Sequence, residues 1–145
     1  AHDIVAPRRD KHFMVTNRKT GVLVLTHGSK LKRANWALFP IVRELRRRTG
    51  NDCIVPCFME LGRPDIPTAV RALIRRGCNH IHGYAMFLAA GRHLEESIPR
   101  ILRDALREFP GVTFEIGPAM MNDPGLTDLV EQRLARLLSN HQEIA

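Results

Sequence analysis

The stretch Gly21-Val-Leu-Val-Leu-Thr-His-Gly-Ser29 is the clearest indication of the fold. Its apolar first half is typical of a strand covered on both faces, and its second half turns small and polar. Along the rest of the chain, apolar runs of strand length alternate with stretches of helical periodicity. The predicted strands are 21–26, 53–59, 81–88 and 112–116, and the predicted helices are 33–48, 64–76, 94–109 and one from 123–124 onward. Four β-α units predict an α/β fold, a parallel sheet with helices on both faces.

Prolines and a glycine refine these elements. Pro40, inside the first predicted helix, indicates a kink or a start nearer Phe39. Pro56 removes a backbone donor from the second strand, which predicts an edge strand. Gly77, just beyond the second helix, is typical of a C-terminal cap. The stripe of the first helix that we expect to face the core is Trp36, Phe39, Val42 and Leu45.

Composition limits the class of protein. Of the 145 residues, 44% are hydrophobic and 26% are charged, which is typical of one compact globular domain. No stretch approaches the ~18 uninterrupted apolar residues of a membrane span, which excludes a transmembrane protein. The N-terminus has no apolar signal core. Three cysteines are too few for a disulfide framework, so we expect a reducing cytoplasm and buried free thiols at Cys53, Cys57 and Cys78.

Charge divides the chain and suggests a class of partner. Residues 1–20 are predicted to form a basic extension, and residues 21–145 a single α/β domain. The formal net charge of +7 favours a polyanionic partner, either nucleic acid or a small molecule that carries many carboxylates or phosphates. Charge alone leaves both possibilities open.

Three chemistry-bearing side chains follow three different strands. His27 follows the first strand, Glu60 the second and His93 the third. Ligands of parallel α/β sheets bind beyond the carboxyl ends of the strands, so we expect the three side chains at one edge. An imidazole there can ligate a divalent metal or move a proton, and a carboxylate can act as ligand or base. The alternative is that both histidines only bind loop backbone.

Other candidate sites are weaker. His80 and His82 alternate along the third strand, so both point to one face, which we expect to be covered or at the surface rather than catalytic. No glycine-rich phosphate-binding loop follows a strand, and no G-x-S-x-G nucleophile turn occurs. The sequence therefore gives no support to nucleotide-driven or serine-hydrolase chemistry.

Several strings at these β-α junctions resemble one known family. They are His27-Gly28-Ser29, Met59-Glu60-Leu61, Pro64-Asp65-Ile66-Pro67 and the run 86–93, followed by Ser97-Ile98-Pro99. In this order they are similar to the small CbiX type of sirohydrochlorin chelatase, a class II chelatase. The resemblance covers about residues 21–138.

The resemblance implies a fold and an activity. The fold would be the class II chelatase half-domain, a four-stranded parallel sheet flanked by helices and wound as in flavodoxin. The activity would be insertion of a divalent metal, cobalt first and otherwise iron or nickel, into sirohydrochlorin, without ATP or an organic cofactor. His27 and His93 match the two metal-binding histidines of the family, and Glu60 matches their acidic partner. Small members pair as homodimers.

Sirohydrochlorin is a polycarboxylate, which agrees with the basic charge of the chain. Cations in or just after the two histidine motifs are candidates to bind its carboxylates, and Ser29 is a further substrate-binding candidate. These cations are Lys30, Lys32, Arg33 and Arg92. Each has a solvated surface role as its alternative.

Two rival functions stay open. One is a non-catalytic tetrapyrrole or metal carrier on the same half-fold, in which the site binds without turnover. The other is a nucleic-acid-binding module that uses the basic extension and the run of Arg43, Arg46, Arg47 and Arg48. Aromatic residues make up only 6% of the chain, so stacking platforms for bases are scarce, which disfavours the second rival.

Overall fold

The computed structural model describes residues 17–142, and the predicted basic extension therefore lies outside the described residues apart from its last four. The strands are β1 Thr20–Thr26, β2 Ile54–Phe58, β3 His80–Ala85 and β4 Thr113–Ile116. The helices are α1 Lys32–Trp36, α2 Leu38–Thr49, α3 Ile66–Arg75, α4 Ile98–Ala105 and α5 Pro124–Gln142. A π-helical turn, His93–Ser97, leads into α4, and a short 3-10 turn, Met120–Asn122, precedes α5.

The four strands form one parallel sheet in the order β2-β1-β3-β4. Leu25 in β1 pairs with Cys57 on one side and Ala85 on the other, so the three strands end almost level. This confirms the predicted four-stranded parallel sheet and its flavodoxin-like order. β2 lies at an edge, as Pro56 predicts.

Helices cover both faces of the sheet. On one face Leu25 and Ile81 pack with Val70 of α3 and with Ile98 and Leu102 of α4, all fully buried. On the other face Val24 of β1 and two residues of β2, Ile54 and Phe58, pack against Leu38 and Val42 of α2. The core therefore holds the β1, β2 and β3 ends rigidly, which positions the loops that follow them.

The three cysteines are free and buried, as predicted. Burial raises the pKa of the Cys57 thiol far above its ordinary value, and burial raises that of Cys78 to about 11. Thiols with raised pKa values stay protonated at neutral pH, so these two side chains act as small apolar core residues.

The chain divides the predicted helix over residues 33–48 at Ala37 into α1 and α2, and the start of α2 at Leu38 confirms the start near Phe39 that Pro40 predicts. Pro40 lies in the first turn of α2, where its missing N–H costs no helical hydrogen bond. Val42 is buried, but Trp36 is 66% and Phe39 is 42% exposed, so the inward stripe is wrong at both. Trp36 belongs to α1, a five-residue helix with no buried residue, and the break removes it from the face that α2 presents to the sheet.

Two other boundaries differ from the prediction. β3 ends at Ala85 rather than at residue 88, which leaves residues 86–92 as a loop before His93. The predicted helix 94–109 begins as the π-helical turn and ends at Ala105. Gly77 follows the C-terminal end of α3 with φ of +82°, a left-handed conformation that glycine adopts without strain, as its capping role predicts.

Helix α5 starts at Pro124, where the Asp123 carboxylate accepts a hydrogen bond from the Gly125 N–H at 2.8 Å. Five of its large apolar side chains are 45–68% exposed; they are Leu129, Val130, Leu134, Leu137 and Leu138. Within residues 17–142 this apolar face has no cover. No helix of that described range combines the length and the apolar character that crossing a membrane requires.

Candidate functional site

The structure brings His27, Glu60 and His93 together at the carboxyl edge of the sheet. The ring centroids of the two histidines lie 5.1 Å apart, with their planes inclined by 61°. The Glu60 Oε2 atom lies 3.7 Å from Nε2 of His27. The convergence expected from the strand ends therefore occurs, and the roles of the three side chains stay predictions.

Backbone pairing beyond the strands holds two of these residues in register. The Met59 N–H donates to the Thr26 carbonyl at 2.9 Å, and the Glu60 N–H donates to the His27 carbonyl at 3.0 Å. The β1–β2 ladder thus continues past the ends of both strands. Because the ladder fixes both backbones, the imidazole and the carboxylate start from neighbouring positions at the same edge of the sheet.

The tautomer of His27 follows from its other contact. Its Nδ1 lies 3.2 Å from the Gly28 carbonyl oxygen, which can only accept a hydrogen bond. With the proton on Nδ1 this contact is a hydrogen bond, and the lone pair of Nε2 then lies on the Glu60 side. The contact with loop backbone that the alternative interpretation predicts is therefore present for His27. In this tautomer the lone pair of Nε2 can bind a metal ion or a proton.

Asn35 in α1 ties the His27 loop to the Glu60 loop, and the sequence reasoning missed it. Its Oδ1 accepts from the Ser29 N–H at 2.8 Å, and its Nδ2 donates to the carbonyls of Ser29 at 2.9 Å and of Leu61 at 2.7 Å. Asparagine inside a helical pattern is unfavourable unless its amide bonds to backbone elsewhere. An asparagine within a predicted helix was therefore the feature of the sequence that could have identified Asn35.

The site is open to solvent. The His27 side chain is 39% and the Glu60 side chain 55% exposed, and His93 is exposed. In the part of the chain described here, no three His, Cys, Asp or Glu side chains, including His27, Glu60 and His93, are arranged to hold a metal ion together. Two imidazoles and one carboxylate at an open edge suit an ion that is held briefly and passed on, whereas a closed four-ligand site retains its metal.

The predicted substrate-binding residues lie around this edge. Ser29 is half-buried, and its hydroxyl accepts from the Leu31 N–H at 3.1 Å, so it also orders the loop. Lys30 and Arg33 are exposed on the loop and on α1. Arg92 precedes His93 and pairs with Glu96 at 3.3 Å. Ser29, Lys30 and Arg92 lie on the two loops next to the histidines, and Arg33 lies in α1, which follows the His27 loop.

His80 and His82 form a separate cluster on β3. His82 Nδ1 lies 3.0 Å and His80 Nε2 3.3 Å from the same oxygen of Glu115 on β4, and His80 Nδ1 lies 2.8 Å from the Thr113 hydroxyl. The hydrogen bonds from His82 and His80 lower the pKa of Glu115. These contacts join β3 to β4, as expected for structural histidines that share one face.

Comparison with known proteins places this geometry in a family. The CbiX family model matches residues 21–137. The chain is 30% identical over 120 residues to the sirohydrochlorin ferrochelatase, chloroplastic, of Arabidopsis thaliana, which covers 83% of this chain and 53% of that protein. It is 29% identical over 118 residues to the sirohydrochlorin cobaltochelatase of Sulfurisphaera tokodaii, which covers 81% of this chain and 93% of that protein.

A solved structure supports the fold. The putative cobalamin (vitamin B12) biosynthesis CbiX protein of Marinobacter aquaeolei VT8 superposes with a TM-score of 0.71 over 86% of this chain and 99% of that chain, at 24% identity. The chain spans about half the length of the Arabidopsis relative and 56% of the sirohydrochlorin cobaltochelatase of Methanococcus maripaludis. Since the family model matches most of the domain, the chain belongs to the CbiX family.

Proposed function

We propose that this protein is a sirohydrochlorin chelatase, which inserts a divalent metal ion into sirohydrochlorin or a closely related carboxylated tetrapyrrole. The observation that carries the proposal is the convergence of His27, His93 and Glu60 at the open sheet edge of a CbiX-family domain. No organic cofactor is part of the proposal.

Metal insertion needs groups that handle an ion and protons in turn. The incoming ion must shed its ligands while two pyrrole N–H protons leave the macrocycle. The lone pair of His27 Nε2 and the ring of His93 can hold the ion weakly and then accept protons. Glu60, 3.7 Å from His27, can balance the charge of the ion or of a protonated imidazole. These three residues are the proposed catalytic set.

Cobalt is the metal that we propose first, with iron or nickel as alternatives. Cobalt and iron both appear in the names of relatives that match this chain at similar identity. Imidazole ligands suit all of these ions, so the histidine pair does not select among them. The ion is a substrate here, and an open site with few ligands favours its release into the ring.

The cationic residues around the edge would bind the carboxylates of the macrocycle. Lys30 and Arg33 lie on the His27 side and Arg92 on the His93 side, so they can engage carboxylates on opposite parts of the ring. The Arg92–Glu96 pair is exposed on both side chains, and a substrate carboxylate can displace Glu96 at little cost. Ser29 would contribute its loop backbone and hydroxyl.

A homodimer is the proposed assembly. Helix α5 supports it because five of its large apolar side chains are 45–68% exposed. Most of the stability of a helix in a protein comes from packing its apolar face, so a 19-residue helix with an exposed face needs a partner surface. A second copy of the chain carries the same apolar face, so two copies can cover each other.

The free cysteines fit a reducing compartment, and we propose the cytoplasm.

The arginine run on α2 gives little support to nucleic-acid binding. Arg47 and Arg48 both pair with Glu44 at 2.7 Å, and Arg46 Nε donates to the Ile54 carbonyl at 2.6 Å. The guanidinium of Arg47 is the first cause that holds the pKa of Glu44 at about 2, so this carboxylate stays charged. Three of the four arginines therefore already bind groups within the domain.

The test is an absorption assay with metal-free sirohydrochlorin and Co²⁺. The protein should shift the spectrum to that of the metallated ring faster than the spontaneous reaction does. His93→Ala should abolish the acceleration with the fold intact by circular dichroism, and His82→Ala, outside the site, should retain it. Tight binding of the tetrapyrrole without any acceleration would establish the carrier function instead.

A further inference from the structure

A groove of about 700 Å³ lies beside the Glu60 loop. Its walls come from α1, the first turn of α2 and residues 59–65. We propose that this groove is a binding subsite for the tetrapyrrole, in which Trp36, Phe39 and Leu61 contact the face of the ring and Lys32 and Arg63 bind its carboxylates. The inference rests on the proposed function; the sequence already indicates Lys32 as a candidate for these carboxylates, but it predicts neither the apolar wall nor Arg63.

The apolar part of the groove suits a flat conjugated molecule. Trp36 is 66%, Leu61 46% and Phe39 42% exposed, although all three are large apolar side chains. Isolated exposed apolar residues are ordinary, but a contiguous group that lines a concavity marks a binding surface. Aromatic rings offer a π face on which a macrocycle can stack at low conformational cost.

The groove is continuous with the candidate site. Glu60 lines the groove and lies 3.7 Å from His27. Asn35 lines both this groove and a neighbouring cavity of about 360 Å³, whose wall includes His27 and Ser29. A macrocycle whose central nitrogens face the histidines extends well beyond them, so one edge of the ring must lie on an adjoining surface. The groove provides that surface on the Glu60 side.

Two cations lie at the rim of the groove. Lys32 is exposed, and within the described residues it has no ion-pair partner. Arg63 is 80% exposed and pairs with Asp65, which holds its guanidinium at the rim. A guanidinium binds a carboxylate through parallel hydrogen bonds, and an ammonium adds a point charge. The carboxylates of Glu60 and Asp65 line the same groove, so its formal charges cancel, and Lys32 and Arg63 are individual contact points for the acidic side chains of the ring.

The chain itself provides a direct probe, because Trp36 is its only tryptophan. Titration of metal-free sirohydrochlorin should quench the fluorescence of Trp36 saturably, with free N-acetyltryptophanamide as the control for light absorbed by the ligand. Lys32→Glu and Arg63→Glu should each weaken binding and raise KM about tenfold with kcat unchanged. Arg71→Glu on α3 makes the same charge change away from the groove and should alter neither quantity.

The possible results separate this inference from the function on which it rests. Acceleration of metal insertion without quenching of Trp36, and with normal KM in both charge variants, would overturn the subsite and leave the chelatase function standing. Saturable quenching without acceleration would contradict the chelatase function and leave the subsite. If Lys32→Glu and Arg63→Glu halve the mass of the protein in solution and leave tetrapyrrole affinity unchanged, a second copy occupies the groove and the inference fails.

Discussion

Glu60 and His27 are joined twice, once through the backbone and once through their side chains. The Glu60 N–H donates to the His27 carbonyl at 3.0 Å, and Glu60 Oε2 lies 3.7 Å from His27 Nε2. The backbone hydrogen bond fixes the register of the two loops, and this register keeps the two side chains close to each other. The proposed pairing of an acid with a metal-binding imidazole is thus built into the end of the β1–β2 ladder.

Glu60→Gln tests the charge in this pair. The amide retains the size of the side chain and removes the negative charge, so we expect metal insertion to slow about 10²-fold with the fold unchanged. The measurement is the initial rate of the absorption change with sirohydrochlorin and Co²⁺. Glu108→Gln, an exposed residue beyond α4, is the matched control and should keep the wild-type rate. Equal rates in the two variants would refute the role of Glu60.

Asn35→Ala tests the link between the two loops. It removes three hydrogen bonds to backbone, and a shift of ~1 Å at a reacting group can cost about 10²-fold in rate, so we expect kcat to fall 10- to 100-fold. Asn35→Asp keeps the acceptor for the Ser29 N–H and loses both donors, so its kcat should fall between those of Asn35→Ala and wild type.

Asn51→Ala is the control for that experiment. The Asn51 side chain also binds backbone, since its Oδ1 accepts from the Cys53 N–H at 2.8 Å, but it precedes β2 at the opposite edge of the sheet. Its loss should lower the free energy of unfolding by about 1 kcal/mol and leave kcat unchanged. If both alanine variants lose stability and neither loses activity, Asn35 has only a structural role.

Leu134→Glu tests the proposed dimer. A carboxylate in the apolar face of α5 cannot be buried without a large cost, so the protein should sediment as one 16.5 kDa chain instead of two. Gln132→Glu places the same charge on the polar face of the helix and should leave the dimer intact. Sedimentation equilibrium at micromolar concentration measures the mass. A monomeric wild-type protein would contradict the proposal directly.

Asp65 gives a prediction for acid stability. Its carboxylate caps α3 by accepting from the Thr68 N–H at 2.9 Å, and hydrogen bonding to the Thr68 side chain and then to its backbone N–H lowers the pKa of Asp65. A pKa that is lower in the folded state adds stability above the unfolded value of about 3.9, and the addition is lost as pH falls through the folded value. Asp65→Ala should therefore cost ~1 kcal/mol at neutral pH and less in acid.

Asp65→Asn is the partner variant in this experiment. The amide oxygen still caps the helix but lacks the charge, so its stability at neutral pH should fall between those of wild type and Asp65→Ala, and the acid-dependent contribution should disappear. Urea denaturation at neutral pH and at about pH 3 measures both effects. If the difference between wild type and Asp65→Ala were larger in acid, the sign of the linkage would be wrong.

The sequence by itself determined the sheet and the place of the site. Apolar runs of strand length separated by helical patterns have one compact solution, a parallel sheet, and the carboxyl ends of parallel strands meet at one edge. His27, Glu60 and His93 each follow such a run, so their convergence could be predicted without coordinates. Local signals sufficed as well for Pro56 in an edge strand and for Gly77 in a left-handed cap.

Features that depend on contacts between distant segments became known only from the folded structure. Periodicity placed Trp36 and Phe39 in the core, but burial depends on which surface a helix meets, and the break at Ala37 turns Trp36 toward the groove. The amide of Asn35 bonds to Leu61, 26 positions along the chain, and although an asparagine in a helix is a local signal, the identity of so distant a partner is not. The sequence pattern of α5 is the same as that of a helix that faces the core. Its apolar face is nevertheless uncovered, because no other described element packs over it.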